Sequence, residues 1–179
     1  MVMHANGAKS RDGLSVRRQH HPKPWLPPNA VVQRGIMISQ TTRYGISTTV
    51  PLEYSRAVER TREALASEGF GVLSEIDVAA TLKKKLGVDF RPYVILGACN
   101  PPLAHQALMT ELDIGLLLPC NIVVYAADEP GRSVVAALDP VEALQLSGND
   151  AIRPVAEEVK ARLMRVLEAI ERTGVLTSG

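Results

Sequence analysis

Only two of the 179 residues are cysteine, too few for the disulfide framework of a secreted domain. Long apolar runs are also missing. The run from Ile114 to Leu118 is broken by Gly115 and closed by Pro119, and no run approaches the roughly 18 residues of a spanning helix. The opening MVMHANGAKSRDG has no apolar stretch of the signal-peptide kind. A reducing, cytoplasmic location with no membrane partner is therefore expected. No Walker loop, no GxGxxG after a strand and no GxSxG elbow occurs, so the usual nucleotide-binding and hydrolase readings lose their support. Three of the four histidines lie before residue 22, leaving His105 alone in the body of the chain. That excludes a zinc site built on two or three histidines there, and a Ser-His-Asp triad could exist only through His105.

What is present is an ordinary globular balance, 46% hydrophobic and 22% charged, in about one domain's length. The net charge of +1 conceals an asymmetry. Residues 1–36 carry six basic side chains against one acid, together with four prolines and no periodic apolar pattern. Such a stretch cannot bury enough surface to offset its ordering entropy, and a disordered basic tail is expected there. Residues 37–179 are expected to form a single α+β domain. Six scattered charges with one aromatic, Trp25, make a poor nucleic-acid arm, and the mildly acidic body argues against nucleic acid as partner.

In RYGISTTV, Tyr44, Ile46, Thr48 and Val50 alternate onto one face of a strand. Tyr54, Val58, Thr61 and Leu65 then form the stripe of an amphipathic helix capped at Gly69. FGVLSEI reads as a second strand with Phe70, Val72 and Ile76 inward. Asp77 caps a short helix whose Val78, Leu82 and Leu86 share a side, closed by Gly87. PYVILGA reads as a central strand covered on both faces. Asn100 and two prolines open another helix, with Leu103, Ala107 and Leu108 on its dry side. NIVVYAA and SVVAAL form a hairpin about Pro130-Gly131, and DPVE at 139–142 resembles a capping box. A last helix keeps Ile152, Val155, Val159, Leu163, Val166 and Ile170 in register and ends at Gly174. The expected fold is α+β, a mixed and largely antiparallel sheet backed by helices, in the order β-α-β-(short α)-β-α-β-β-α.

The candidate site is the pair Cys99 and Cys120, each followed by asparagine. Cys99 stands at a strand end beside a helix start, where backbone N–H groups would favour a thiolate. Three readings stay open: inert packing, since cysteine is often a small core residue; a thiol or redox role; and a soft metal site completed by His105 and an acid such as Glu75. Glu75 and Asp77 point the same way in a strand, as a carboxylate pair or as a solvated face plus a cap. The triplet Lys83-Lys84-Lys85 complements a helix dipole or binds an anion. Tyr93 and Tyr125 are expected to give their area to the core with their hydroxyls at its edge.

The segment GFGVLSEIDVAATLKKKLGVDFRPYVILGACNPPLAHQAL, followed by LLPCNIVVY and a later DP, resembles the family called domain of unknown function 302, from about Tyr44 to Ile170. The matching positions are Glu75, Asp77, Lys83, Cys99, Asn100, Pro101, Cys120 and Asn121. The resemblance implies a small α+β domain, dimeric and cytoplasmic, and supplies no activity and no cofactor. The leading functional expectation is a binding domain whose Cys99/Cys120 end holds a small molecule or metal ion. In it Asn100 and Asn121 orient the ligand, Glu75 contributes its carboxylate and Lys83 neutralises an anionic group. The alternatives are a thiol-dependent redox enzyme using Cys99 and Cys120, and a homodimeric structural module with packed cysteines.

Overall fold

The computed structural model describes residues 30–33 and 36–176. Seven strands form one sheet in the order β1-β2-β3-β7-β6-β5-β4, and every neighbouring pair is antiparallel. The strands are β1 (Ala30–Gln33), β2 (Ile36–Thr42), β3 (Gly45–Val50), β4 (Gly71–Asp77), β5 (Tyr93–Cys99), β6 (Cys120–Ala126) and β7 (Ser133–Leu138). The helices are α1 (Tyr54–Ser67), α2 (Val78–Leu86), α3 (Pro101–Thr110), α4 (Pro140–Leu144) and α5 (Arg153–Leu176). The α+β class stands, with a sheet that is wholly antiparallel among the described residues rather than mixed. β1 and β2 were not foreseen; β1 falls in the stretch read as a basic tail, most of which lies outside the described residues. α5 runs through Gly174 to Leu176, past the expected stop.

Register separates two faces. The inner rows are Ile46–Ala137–Ile122–Leu96 and Thr48–Val135–Val124–Val94, all buried. Onto them α1 and α5 bring Ala57, Leu65, Val159, Leu163, Val166, Leu167 and Ile170, making the main core. The α1 stripe is rotated from the expected one: Ala57, Thr61, Ala64 and Leu65 are buried, while Tyr54 and Val58 pack at the margin. Thr61 is tolerated at zero exposure because its hydroxyl donates to the Ala57 carbonyl at 2.7 Å. A second cluster, Ala107, Ile114, Leu144, Ile152 and Ala156, gathers α3, α4, α5 and the 3₁₀ segment Leu112–Leu117.

The outer rows are Ser47–Ala136–Val123–Ile95–Ile76 and Thr49–Val134–Tyr125–Tyr93. Three expectations fail here. Among the described residues β5 is covered on one face only, and Tyr93 and Tyr125 stack on the outer face at a centroid separation of 5.3 Å instead of joining the core. Ile76 was expected inward but is 49% exposed. The register slips between Val72 and Ser74, and that bulge inserts an extra residue which turns every later side chain of β4 to the opposite face.

One buried carboxylate joins the layers. Asp139 follows β7 and has no solvent exposure. Its Oδ1 accepts from the Val141 N–H at 3.0 Å, capping α4, and its Oδ2 accepts from Lys160 Nζ of α5 at 2.6 Å. Its own N–H donates to the Tyr44 carbonyl at 2.8 Å. Removing one partner of a buried pair leaves an uncompensated charge. Lys160→Met should therefore lower the urea-unfolding free energy by about 2–4 kcal/mol, and a loss under about 0.5 kcal/mol would show that the pair does not hold the layers.

Candidate functional site

Register pairs Ala98 with Cys120, so the two cysteines stand at one end of neighbouring strands, as the sequence suggested. Both are free thiols, and both line one cavity. Cys120 packs against the main core. The walls come from Phe70 and Ala98 on the sheet side, Leu103, Ala104 and Ala107 of α3, Leu117 and Leu118, the α4 segment, and Val155 and Val159 of α5. Asn100 is the one lining side chain with an amide or a charge. The space open to the centres of water-sized molecules is about 30 Å³, room for one or two waters.

The local sequence explains this placement. Pro101 and Pro102 occupy the first turn of α3, and the Asn100 side chain accepts from the Leu103 N–H at 3.4 Å as N-cap. The other end of that amide donates to the Glu68 carbonyl at 3.4 Å, at the C-terminus of α1. Arg162 of α5 donates to the same carbonyl at 3.2 Å. Both ends of Asn100 are thus engaged by the fold. Gly97 is required for close approach: a Cβ there would meet Pro119 Cγ at 2.8 Å and the Ser74 hydroxyl from the other side.

The remaining candidates are not gathered at the cysteines. Asn121 is exposed on the outer face opposite Gly97. Glu75 pairs with Arg62 of α1, and Asp77 caps α2 by accepting from the Ala80 N–H at 2.8 Å. These are the solvated-face and cap roles rather than a carboxylate pair. Lys83 pairs with Asp89 at 2.6 Å, in the open. His105 is exposed on α3. Among the described residues no group of three or more His, Cys, Asp or Glu side chains is placed to hold a metal, so the four-ligand set imagined from sequence does not assemble.

The thiols also depart from expectation. Burial raises the Cys99 pKa above the ordinary value, and the α3 N-terminus does not reverse it. Burial, and secondarily the charge of Cys99, push Cys120 up to about 11. Neither is an activated, low-pKa nucleophile. Sequence reasoning missed the apolar walls from α4 and α5, since nothing in the periodicity says which loop or helix closes over which strand end.

The arrangement is that of an α+β domain with one helical layer on an antiparallel sheet. The family model described as "Domain of unknown function DUF302" matches residues 46–170, and the chain belongs to that family. The chain is similar to a solved structure, the crystal structure of an uncharacterized conserved protein DUF302 from Bacillus stearothermophilus. The two share 32% identity over 72% of this chain and 99% of that one, with a TM-score of 0.66. No curated protein matches. No helix among the described residues is long and apolar enough to cross a membrane.

The raised Cys120 pKa has a sign that can be checked. The unfolded thiol loses its proton at 9.0 and the folded one at about 11. Its contribution to stability is full below pH 9 and is lost as pH rises toward 11. Wild-type stability should fall over that window by on the order of 2 kcal/mol more than that of Cys120→Ala, measured by urea unfolding at each pH. Parallel pH profiles for the two proteins would show that the thiol is not held protonated.

Proposed function

We propose that the protein is a binding domain for a small, uncharged, largely apolar molecule taken into the cavity at the Cys99/Cys120 end of the sheet. The lining carries this reading: two thiols and one amide among sixteen residues that are otherwise apolar. Ligand sites of this kind are apolar with a few polar groups that fix orientation. The thiols are protonated at neutral pH and serve as soft, weakly polar wall atoms. A ligand of more than a few heavy atoms requires a wall to yield. One short, partly open wall element is the 3₁₀ segment Leu112–Leu117, which contributes Leu117 to the lining while Leu112 and Leu116 stand 82% and 86% exposed. Native mass spectrometry of the gently purified full chain should show the mass of one neutral small molecule per chain. Ala104→Leu, which fills the cavity from α3, should lose it while keeping its far-UV spectrum. A bare chain in the wild type, or a chain lighter by two hydrogens from a Cys99–Cys120 disulfide, overturns the proposal.

A second reading, a homodimer, is favoured by a different surface. The outer rows of β3 to β7 contain no charged residue, and among the described residues no second layer closes them off: Ile95, Val123, Val134, Ala136, Tyr93 and Tyr125 are all partly open. A sheet is stable when each apolar face is buried against another layer. Depletion of charge with aromatic enrichment is the composition of an interface core. Sedimentation of the full chain should give twice the 19.4 kDa chain mass, and Val123→Glu should return the monomer. A wild type that stays monomeric at high concentration removes this reading.

A further inference from the structure

A second groove shares Leu144 with the cysteine cavity and is otherwise separate from it. Its walls include Val141 of α4, Gln145, Asn149 and Asp150 of the turn that follows, and Arg153 and Ala156 of α5. The space open to the centres of water-sized molecules is about 60 Å³, room for a side chain rather than a water or two. Leu146, next to the lining Gln145, is 79% exposed. The Asn149 amide donates to the Glu111 carboxylate at 3.1 Å, and Met109 and Leu112, close to Glu111 in the chain, are exposed as well. Ile114, Leu144, Ile152 and Ala156 pack in one cluster and hold these elements together. A groove flanked by exposed apolar side chains is the mark of a docking surface.

The rim says what would dock. Over 111–113 and 142–153 there are four acids, Glu111, Asp113, Glu142 and Asp150, against one base, Arg153. None of the four acids is in an ion pair among the described residues. Such a surface fits a basic segment with an apolar anchor, and the chain carries one. Residues 17–29, RRQHHPKPWLPPN, hold Arg17, Arg18 and Lys23, no acid, and the chain's single tryptophan, Trp25. Pro22, Pro24, Pro27 and Pro28 fix φ, so ordering this segment costs less entropy than ordering most sequences. The outer rows of the sheet carry no charge and would leave its three cations without partners.

The topology puts the segment within reach. Ala30 shares a row with Ser39, Ser47 and Ala136 through three antiparallel pairings. The chain therefore enters β1 from the end of the sheet where β7 leads into α4. β7 is three strand spacings from β1, about 14 Å. Trp25 precedes Ala30 by five residues, a reach of up to about 17 Å, and Arg17 can extend farther still.

We propose that residues 17–29 form a strap that covers this groove on the same chain. Trp25 packs against Leu144 and Leu146, and Arg17, Arg18 and Lys23 face the acidic rim. A segment with no core of its own gains one from the groove, and the groove loses its contact with water.

Trp25 is the sole tryptophan, so its fluorescence in the full chain reports the docking directly. Its emission should lie to the blue of that of a free peptide of residues 17–29, and acrylamide should quench it several-fold less. Sodium chloride at 1 M, where the screening length is about 3 Å, should move both readings toward the peptide's. Leu146→Lys, at an exposed position, should bring them to the peptide's values with an unchanged far-UV spectrum. Glu142→Gln/Asp150→Asn should move them part of the way. Wild-type emission and quenching equal to the peptide's overturn the proposal. A shielded Trp25 that is indifferent to Leu146→Lys means that the segment lies on another surface, and overturns it too. Shielding lost on dilution belongs to the segment of a second copy and overturns a strap within one chain.

Discussion

A single buried carboxylate sets the geometry on which the candidate site depends. Asp139 has no contact with water, so each of its acceptor positions must be filled from within the chain. It is filled from two directions: a backbone N–H of α4 on one oxygen and the Lys160 ammonium of α5 on the other. The ammonium end is partly open, which lowers the cost of bringing that charge to the pair. Because Asp139 follows directly on β7, the pair ties the sheet, α4 and α5 at one point. Pro140, Ala143 and Leu144 on one side and Val155 and Val159 on the other then become cavity walls. The apolar site is thus a by-product of where one polar group had to be satisfied.

A second polar knot works at the opposite wall. The Glu68 carbonyl at the end of α1 receives Asn100 and Arg162, while the Glu68 carboxylate pairs with Arg165 at 2.8 Å. The start of α3 is therefore held against the end of α1 and the middle of α5. These contacts are hydrogen bonds to a helix terminus, which has carbonyls to spare. They account for a buried asparagine next to Cys99 without a ligand. The family to which the chain belongs has no assigned activity, so the physical content of the site carries the functional reading.

Much of the fold was legible. Asn100-Pro101-Pro102, Asp77 with Gly87, and Pro130-Gly131 are local signals, and each produced the element it announces because capping and turn geometry involve only neighbours in sequence. The α5 stripe was legible because a helix this long repeats its pattern enough times to be unambiguous. Ile76 was misplaced because a bulge changes the parity of a strand without changing its composition. Tyr93 and Tyr125 were misplaced because an apolar residue on a face that no described element covers looks, in sequence, like one in the core. The metal set of Cys99, Cys120, His105 and Glu75 failed on distance, which no spacing in the sequence constrains.

The sequence by itself determined the alternation of strands and helices, their caps, and the fact that two cysteines each precede an asparagine at a strand end. Those features follow from periodicity and from interactions a few residues long. Tertiary structure alone decided that the sheet is antiparallel throughout the described residues, that α1 and α5 share one face, and that no residue of α2 is fully buried. It also decided that the thiols meet apolar walls rather than a base or a metal. The physical reason is that burial and its effect on a pKa depend on which distant surface arrives against a side chain, and that is a property of the packed chain as a whole.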